Sequence, residues 1–139
     1  MMKSMTRRES RELAFILLFE KSFTEDTIAD ILQNAEEARE LFADEFAIGL
    51  AQGAVERVDE IDALISEHSH KWSTSRLSRV ALAVMRLAVY EMLHCDDIPV
   101  SVSINEAVEL AKQYGGDADA TFINGVLGGI SRRDAVDHE

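Results

Sequence analysis

The sequence predicts an all-α fold, and three observations carry that prediction. A single proline in 139 residues leaves one obligatory interruption to helix. β-Branched residues do not collect into short runs of alternating polarity, as half-buried strands require. Apolar residues recur instead at i, i+3, i+4 and i+7, which lines one face of a helix.

The first helix is predicted from about Arg7 to Ser22. Thr6-Arg7-Arg8-Glu9 has the form of a capping box, in which the Thr hydroxyl and the Glu carboxylate satisfy each other's orphan amides. From Leu13 to Phe19 this helix is apolar without interruption, so it must be either central or covered by a partner. Thr24 is the expected cap of a second helix near 26–38, with Ile28, Ile31, Leu32 and Ala35 on one face. Asp44 starts a long third helix to about Ser69, whose apolar positions are Phe46, Leu50, Val55, Val58, Ile61, Leu64 and Ile65.

A turn around "KWSTSRL" leads to a helix from about Ser78 to His94, whose stretch Val80 to Leu93 is broken only by Arg86, Tyr90 and Glu91. Pro99 disfavours helix in the residue before it and forces a restart. In "SVSINEAVELAKQYGG", Ile104, Ala107, Val108 and Ala111 form the stripe and Ser103 to Glu106 has the form of a second capping box. Gly115-Gly116 supplies a left-handed stop. The last helix, from about Ala118 to Ile130, repeats the stripe at Ile123, Val126, Leu127 and Ile130, and residues 132–139 read as a frayed tail. The whole chain, 1–139, reads as one domain, a size that supports its own core.

The net charge is −12, which argues against phosphate binding until its distribution is read. Segment 20–67 carries 14 acids against 3 bases and segment 91–119 carries 7 against 1, whereas 68–90 has Lys71, Arg76, Arg79 and Arg86 and no acid. Positive charge is thus confined to the N-terminal head, Arg7, Arg8 and Arg11, and to the middle of the chain. A fold that brings the two together would form a basic patch on an acidic protein. The single cysteine, Cys95, excludes an internal disulfide, nothing at the N-terminus resembles a secretory signal, and no apolar run approaches a membrane span. A cytoplasmic protein without membrane contact is expected.

Chemistry-bearing constellations are scarce. His68 and His70 stand two residues apart and point to different sides of a helix, and only His94-Cys95 offers neighbouring soft ligands, so neither metal nor cofactor is expected. "GVLGGI" has neither the spacing nor the preceding strand of a phosphate-binding loop, and an enzyme is not the expected class. Phe122 lies about 100° from the stripe position Ile123, at the edge of the buried face, where an aromatic either closes the core or offers a platform for base stacking. Arg86, on an otherwise apolar helix, reads as a structural ion-pair partner for a carboxylate such as Glu91 or Glu106.

"RRESRELAFILLFE", "RLSRVALAVMRLAVYEML", "IPVSVSINEAVELAKQYG" and "TFINGVLGGI" follow one another in the order and spacing of the NusB transcription-antitermination family, which the chain resembles over nearly its whole length. The resemblance implies a compact fold of about seven helices in two packed three-helix bundles. It also implies a non-enzymatic role: with the ribosomal protein NusE, the family binds single-stranded boxA RNA of ribosomal RNA leaders and acts in the transcription elongation complex to override terminators. Carried over, it gives Arg7, Arg8 and Arg11 to RNA and places Phe122 near the RNA surface; by charge alone, one of Arg76 or Arg79 is a further phosphate candidate. Phe19 falls to NusE. The chain departs from the family pattern in its sparser basic head, at Thr121, where Lys is common, and at Gly128, where Asp is common.

Some members of the family form homodimers that cover the functional surface, and the sequence does not choose between monomer and homodimer. Two other function classes stand beside antitermination. One is a stand-alone helical RNA-binding module related to those of ribosomal RNA methyltransferases, and the other is a protein-only helical adaptor.

Overall fold

A computed structural model describes residues 6–39, 44–69 and 77–133. Among these residues the chain forms α1 (Arg7–Lys21), α2 (Ile28–Arg39), α3 (Glu45–Glu56), α4 (Val58–His68), α5 (Arg79–His94), α6 (Val100–Tyr114) and α7 (Asp117–Arg133), with no strand. Helix α5 is the shared spine. It packs against α1 and α3 on one side and against α4, α6 and α7 on the other, while α2 rests on α1. Two three-helix groups, α1–α3 and α4 with α6 and α7, therefore flank one central helix.

The apolar run of α1 is central for the most part: Leu13, Ala14, Phe15, Leu17 and Leu18 are buried, and Ile16 and Phe19 are half-buried. Along α5, Ala81, Ala83, Val84, Met85, Leu87, Ala88, Val89 and Met92 are buried, which explains why its polar interruptions are so few. The predicted stripe of α7 is buried at Ile123, Val126, Leu127 and Ile130.

Local signals set most of the boundaries. Thr6 Oγ1 accepts from the Glu9 amide at 3.1 Å while the Thr6 amide donates to Glu9 Oε1 at 2.8 Å, so the predicted capping box forms. Asp44 Oδ1 accepts from the Ala47 amide at 2.9 Å, and Ser78 Oγ accepts from the Ala81 amide at 3.0 Å. Gly116 has φ +97°, and its amide and that of Gly115 both donate to Ala111 O, which ends α6 in the left-handed turn that glycine permits.

Four expectations are corrected. Helix α2 is capped by Thr27, whose hydroxyl accepts from the Asp30 amide at 3.1 Å, whereas Thr24 accepts from Asp26 within the preceding turn. The predicted long third helix breaks at Arg57, with φ −112° and ψ 21°, into α3 facing α1 and α5 and α4 facing α5 and α7. Ser103 and Glu106 lie inside α6 and cap nothing, because that helix already begins at Val100 after Pro99. Helix α7 runs through Arg133, so residues 132 and 133 are helical, and the rest of the predicted frayed tail lies outside the described residues.

Candidate functional site

The N-terminal turn of α1 carries its three arginines into three different environments. Arg7 is exposed and lies face-on over the Phe46 ring of α3, its guanidinium carbon 3.8 Å from the centroid. Arg8 reaches across to α6, where Nε donates to Glu106 Oε1 at 3.1 Å and Nη2 donates to Oε2 at 2.8 Å. Arg11 turns inward and is only 6% exposed. Its Nε donates to both oxygens of Glu91 on α5, and Ser103 Oγ of α6 donates to Glu91 Oε1 at 3.0 Å.

Three further bonds hold the same turn. Buried Ser10 donates from Oγ to Asp44 Oδ2 at 2.8 Å, joining α1 to the carboxylate that caps α3. Glu12 accepts from Gln113 Nε2 at 2.9 Å and from the Tyr114 hydroxyl, at the far end of α6. Burial first, then the bond to Glu12, pushes the Tyr114 hydroxyl up to about 12. Between α1 and α6 lies a groove of about 480 Å³, in which Arg8, Arg11 and Lys112 face Glu9, Glu12, Glu106 and Glu109.

The other end of α1 is aromatic. Half-buried Phe19 stands between Phe15, with ring centroids 6.0 Å apart, and Phe23, edge-on at 5.1 Å, and Phe23 is 60% exposed. Arg79, at the start of α5, lies over Phe23 at 4.4 Å and donates from Nη1 to Ser22 O at 2.6 Å. Helix α1 has 15 residues and so is about 22 Å long, which separates Arg79 from Arg7 and Arg8. Among the described residues, Arg79 therefore does not join Arg7 and Arg8 in one basic patch. Arg76 lies outside the described residues, as do His70 and Lys71.

Phe122 is half-buried and packs on the edge of the core, and its neighbours Thr121 and Asn124 line a hollow of about 310 Å³ with Lys112. Arg86 is the ion-pair partner the sequence predicted, but its carboxylate is Asp62, at 2.9 and 2.7 Å, because Glu91 and Glu106 already hold Arg11 and Arg8. Sequence reasoning gave Glu106 and Ser103 other roles, as a capping pair and, for Glu106, as a partner of Arg86, and it missed Phe23. Glu106 pairs with Arg8, 98 positions away in the chain, and Ser103 reaches Arg11 only through Glu91, relations that no periodicity reports, whereas Phe23 could have been found as an aromatic lying beyond the end of the stripe. Among the described residues no cluster of His, Cys, Asp and Glu could hold a metal ion, and no helix is long and apolar enough to cross a membrane.

The profile of the NusB family matches residues 8–132. A transcription antitermination protein NusB from Acetivibrio thermocellus is 43% identical over 128 residues, covering 91% of this chain and 88% of that protein. The Bacillus subtilis NusB is 40% identical over 126 residues, covering 91% and 95%. Among solved structures, T. maritima NusB superposes with a TM-score of 0.81 at 37% identity over 94% of each chain. A chain from a crystal structure of the antitermination factors NusB and NusE in complex with double-stranded RNA superposes with a TM-score of 0.80 at 26% identity, covering 91% of this chain and 96% of that one.

Proposed function

The chain belongs to the NusB family, and from that premise we propose that it acts as an RNA-binding antitermination adaptor that pairs with NusE on boxA RNA of ribosomal RNA leaders. One observation carries the reading at the level of residues: the two ends of α1 present two different surfaces, an arginine-bearing one and an aromatic one. An adaptor that joins a polyanion to a protein needs both.

Arg7 and Arg8 serve as phosphate contacts, the first held by a ring face and the second by a carboxylate. Arg11 acts as a positioning residue, because its guanidinium is buried against Glu91 and ties the turn to α5. Phe122, at the edge of the core, supplies a stacking surface for a base. Phe19, with Phe23 beside it, meets NusE, and Arg79 belongs to that end of the molecule. Arg76 keeps the role of a further phosphate contact. The role is that of a cytoplasmic, non-enzymatic factor in the elongation complex.

The test is a binding assay with the full chain and a boxA-like single-stranded RNA, with and without NusE. A ternary complex tighter than either pair is the expected result. Equal RNA affinity without NusE would favour a stand-alone RNA-binding module, and NusE binding with no RNA binding would favour a protein-only adaptor.

A further inference from the structure

Arg8 is the exposed member of an unusual pair. Its side chain is 68% exposed, yet its Nε and Nη2 engage both oxygens of Glu106, whose side chain is 14% exposed. A guanidinium fork meets a carboxylate and a phosphate with the same two-bond geometry. Glu106 therefore occupies on Arg8 the place that a phosphate of RNA would take. The pairing is held from both sides: hydrogen bonding to Arg8 keeps the Glu106 carboxyl below its usual range, and the same bond raises the Arg8 guanidinium.

A forked pair is neutral as a unit and attracts no phosphate from a distance. The groove around it adds Glu9, Glu12 and Glu109 against Lys112 and an Arg11 already held by Glu91. Arg7 differs, because a face-on contact with Phe46 neutralises no charge.

We infer that Glu106 gates Arg8: RNA gains this arginine only by exchanging a phosphate for the Glu106 carboxylate, so that the carboxylate weakens sequence-independent RNA binding by this acidic protein. The inference rests on the RNA-binding reading above. It gives the "NEAVEL" segment of α6 a role in selecting the ligand, since a strand that makes no compensating contact elsewhere cannot open the pair.

A double-mutant cycle tests it, with anisotropy of a labelled boxA-like single-stranded RNA titrated with the NusE complex of the wild type, Glu106→Gln, Arg8→Ala and the double variant. Glu106→Gln should tighten binding about two- to fivefold, the range in which exposed ion pairs act. It should also steepen the slope of log K against log salt by up to about 0.7, one phosphate's worth, because no carboxylate is released to take up a cation. Both gains should vanish in the Arg8→Ala background. Glu106→Asp, one methylene shorter, should give an intermediate gain and serves if Glu106→Gln melts early. A gain that survives in Arg8→Ala would reduce Glu106 to a repelling charge, and a loss of affinity in Glu106→Gln would make it a support for Arg8; either overturns the gate. Wild-type binding with no response to Glu106→Gln sinks the gate alone, whereas no binding by any variant sinks the RNA reading with it.

Discussion

Arg11 Nε lies 2.9 Å from Glu91 Oε2, and the two side chains are 7% and 2% exposed. This is a charge pair closed to solvent at the junction of α1 and α5, with Ser103 binding the same carboxylate from α6. Three helices converge on one carboxylate, and the arginine-bearing turn is oriented by that convergence.

Removing the carboxylate alone strands a buried cation. Glu91→Ala should therefore cost about 3–5 kcal/mol, measured by urea unfolding. Replacing both partners with apolar side chains of similar volume, as in Arg11→Met with Glu91→Leu, should recover most of that loss because no charge is then left in the core. A Glu91→Ala cost under about 1 kcal/mol would show that water reaches the pair.

Helix α3 offers a paired test in its two glycines. A Cβ at Gly53 would clash with the Tyr90 ring edge and hydroxyl, so Gly53→Ala should destabilise by about 1–3 kcal/mol through overpacking. A Cβ at Gly49 would meet nothing within 4 Å, and Gly49→Ala should stabilise by about 0.5–1 kcal/mol through helix propensity. Thermal unfolding of the two variants should move in opposite directions, and Tyr90→Leu should relieve the first. Two shifts of the same sign would contradict the close approach of α3 to α5.

How much was legible beforehand follows from the range of each interaction. The caps at Thr6, Asp44 and Ser78 and the stop at Gly116 act within five residues, and the sequence states them. The central position of α5 was equally readable from its lack of a polar face. The break at Arg57 was not, because no glycine or proline marks it and its cause is tertiary: α3 and α4 turn toward different neighbours. The arginines of the head were found by composition, but their states were set by Phe46, Glu106 and Glu91, all distant in the chain. Charge counting cannot tell a phosphate-ready arginine from one already paired.

The aromatic end of α1 gives a prediction about the partner. Phe23→Asp, at an exposed site, should leave stability within about 0.5 kcal/mol and weaken NusE binding at least tenfold. Phe19→Asp should abolish the heterodimer while helical content and cooperative unfolding persist. Phe15→Ala is the contrasting case, because that ring is 2% exposed and its loss should cost about 3–5 kcal/mol of stability. Pull-down with NusE and circular dichroism together separate the two effects, and NusE binding unchanged by both aspartates would move the interface elsewhere.

Cys95 should be chemically quiet. Burial first, then Glu91 and Asp97, pushes its thiol from the ordinary 9.0 up to about 11. At pH 8 the thiolate fraction is then about a hundredfold lower in the folded chain than in the unfolded one, so alkylation by iodoacetamide should be slower by about that factor and should accelerate on adding denaturant. The sign for stability follows: a proton held more tightly by the folded state is lost as pH rises past 9 toward 11, and the contribution of Cys95 falls over that window. Equal alkylation rates in native and denatured protein at pH 8 would mean that the thiol is solvated.

The salt dependence of RNA binding separates the arginines by their states. Each phosphate neutralised on a single strand contributes about −0.7 to the slope of log K against log salt. Arg7, which is paired with no carboxylate in its ring contact, should carry a full share, and Arg7→Ala should flatten the slope by about 0.7. Arg8→Ala should flatten it less, because exchange with Glu106 returns part of the counterion release. Arg79→Ala, at the opposite end of α1, should leave the slope unchanged and weaken NusE binding instead. Phe122→Ala should also leave the slope alone but cost about 1–3 kcal/mol through lost stacking, equally at all salt concentrations. The measurement is a titration of the NusE complex onto a short single-stranded RNA between 50 and 200 mM salt, a window of about the range over which phosphate contacts are resolved. A slope that Arg7→Ala leaves unchanged would remove the head of α1 from the RNA surface, and the aromatic end would then stand as the only interface of a protein-binding adaptor.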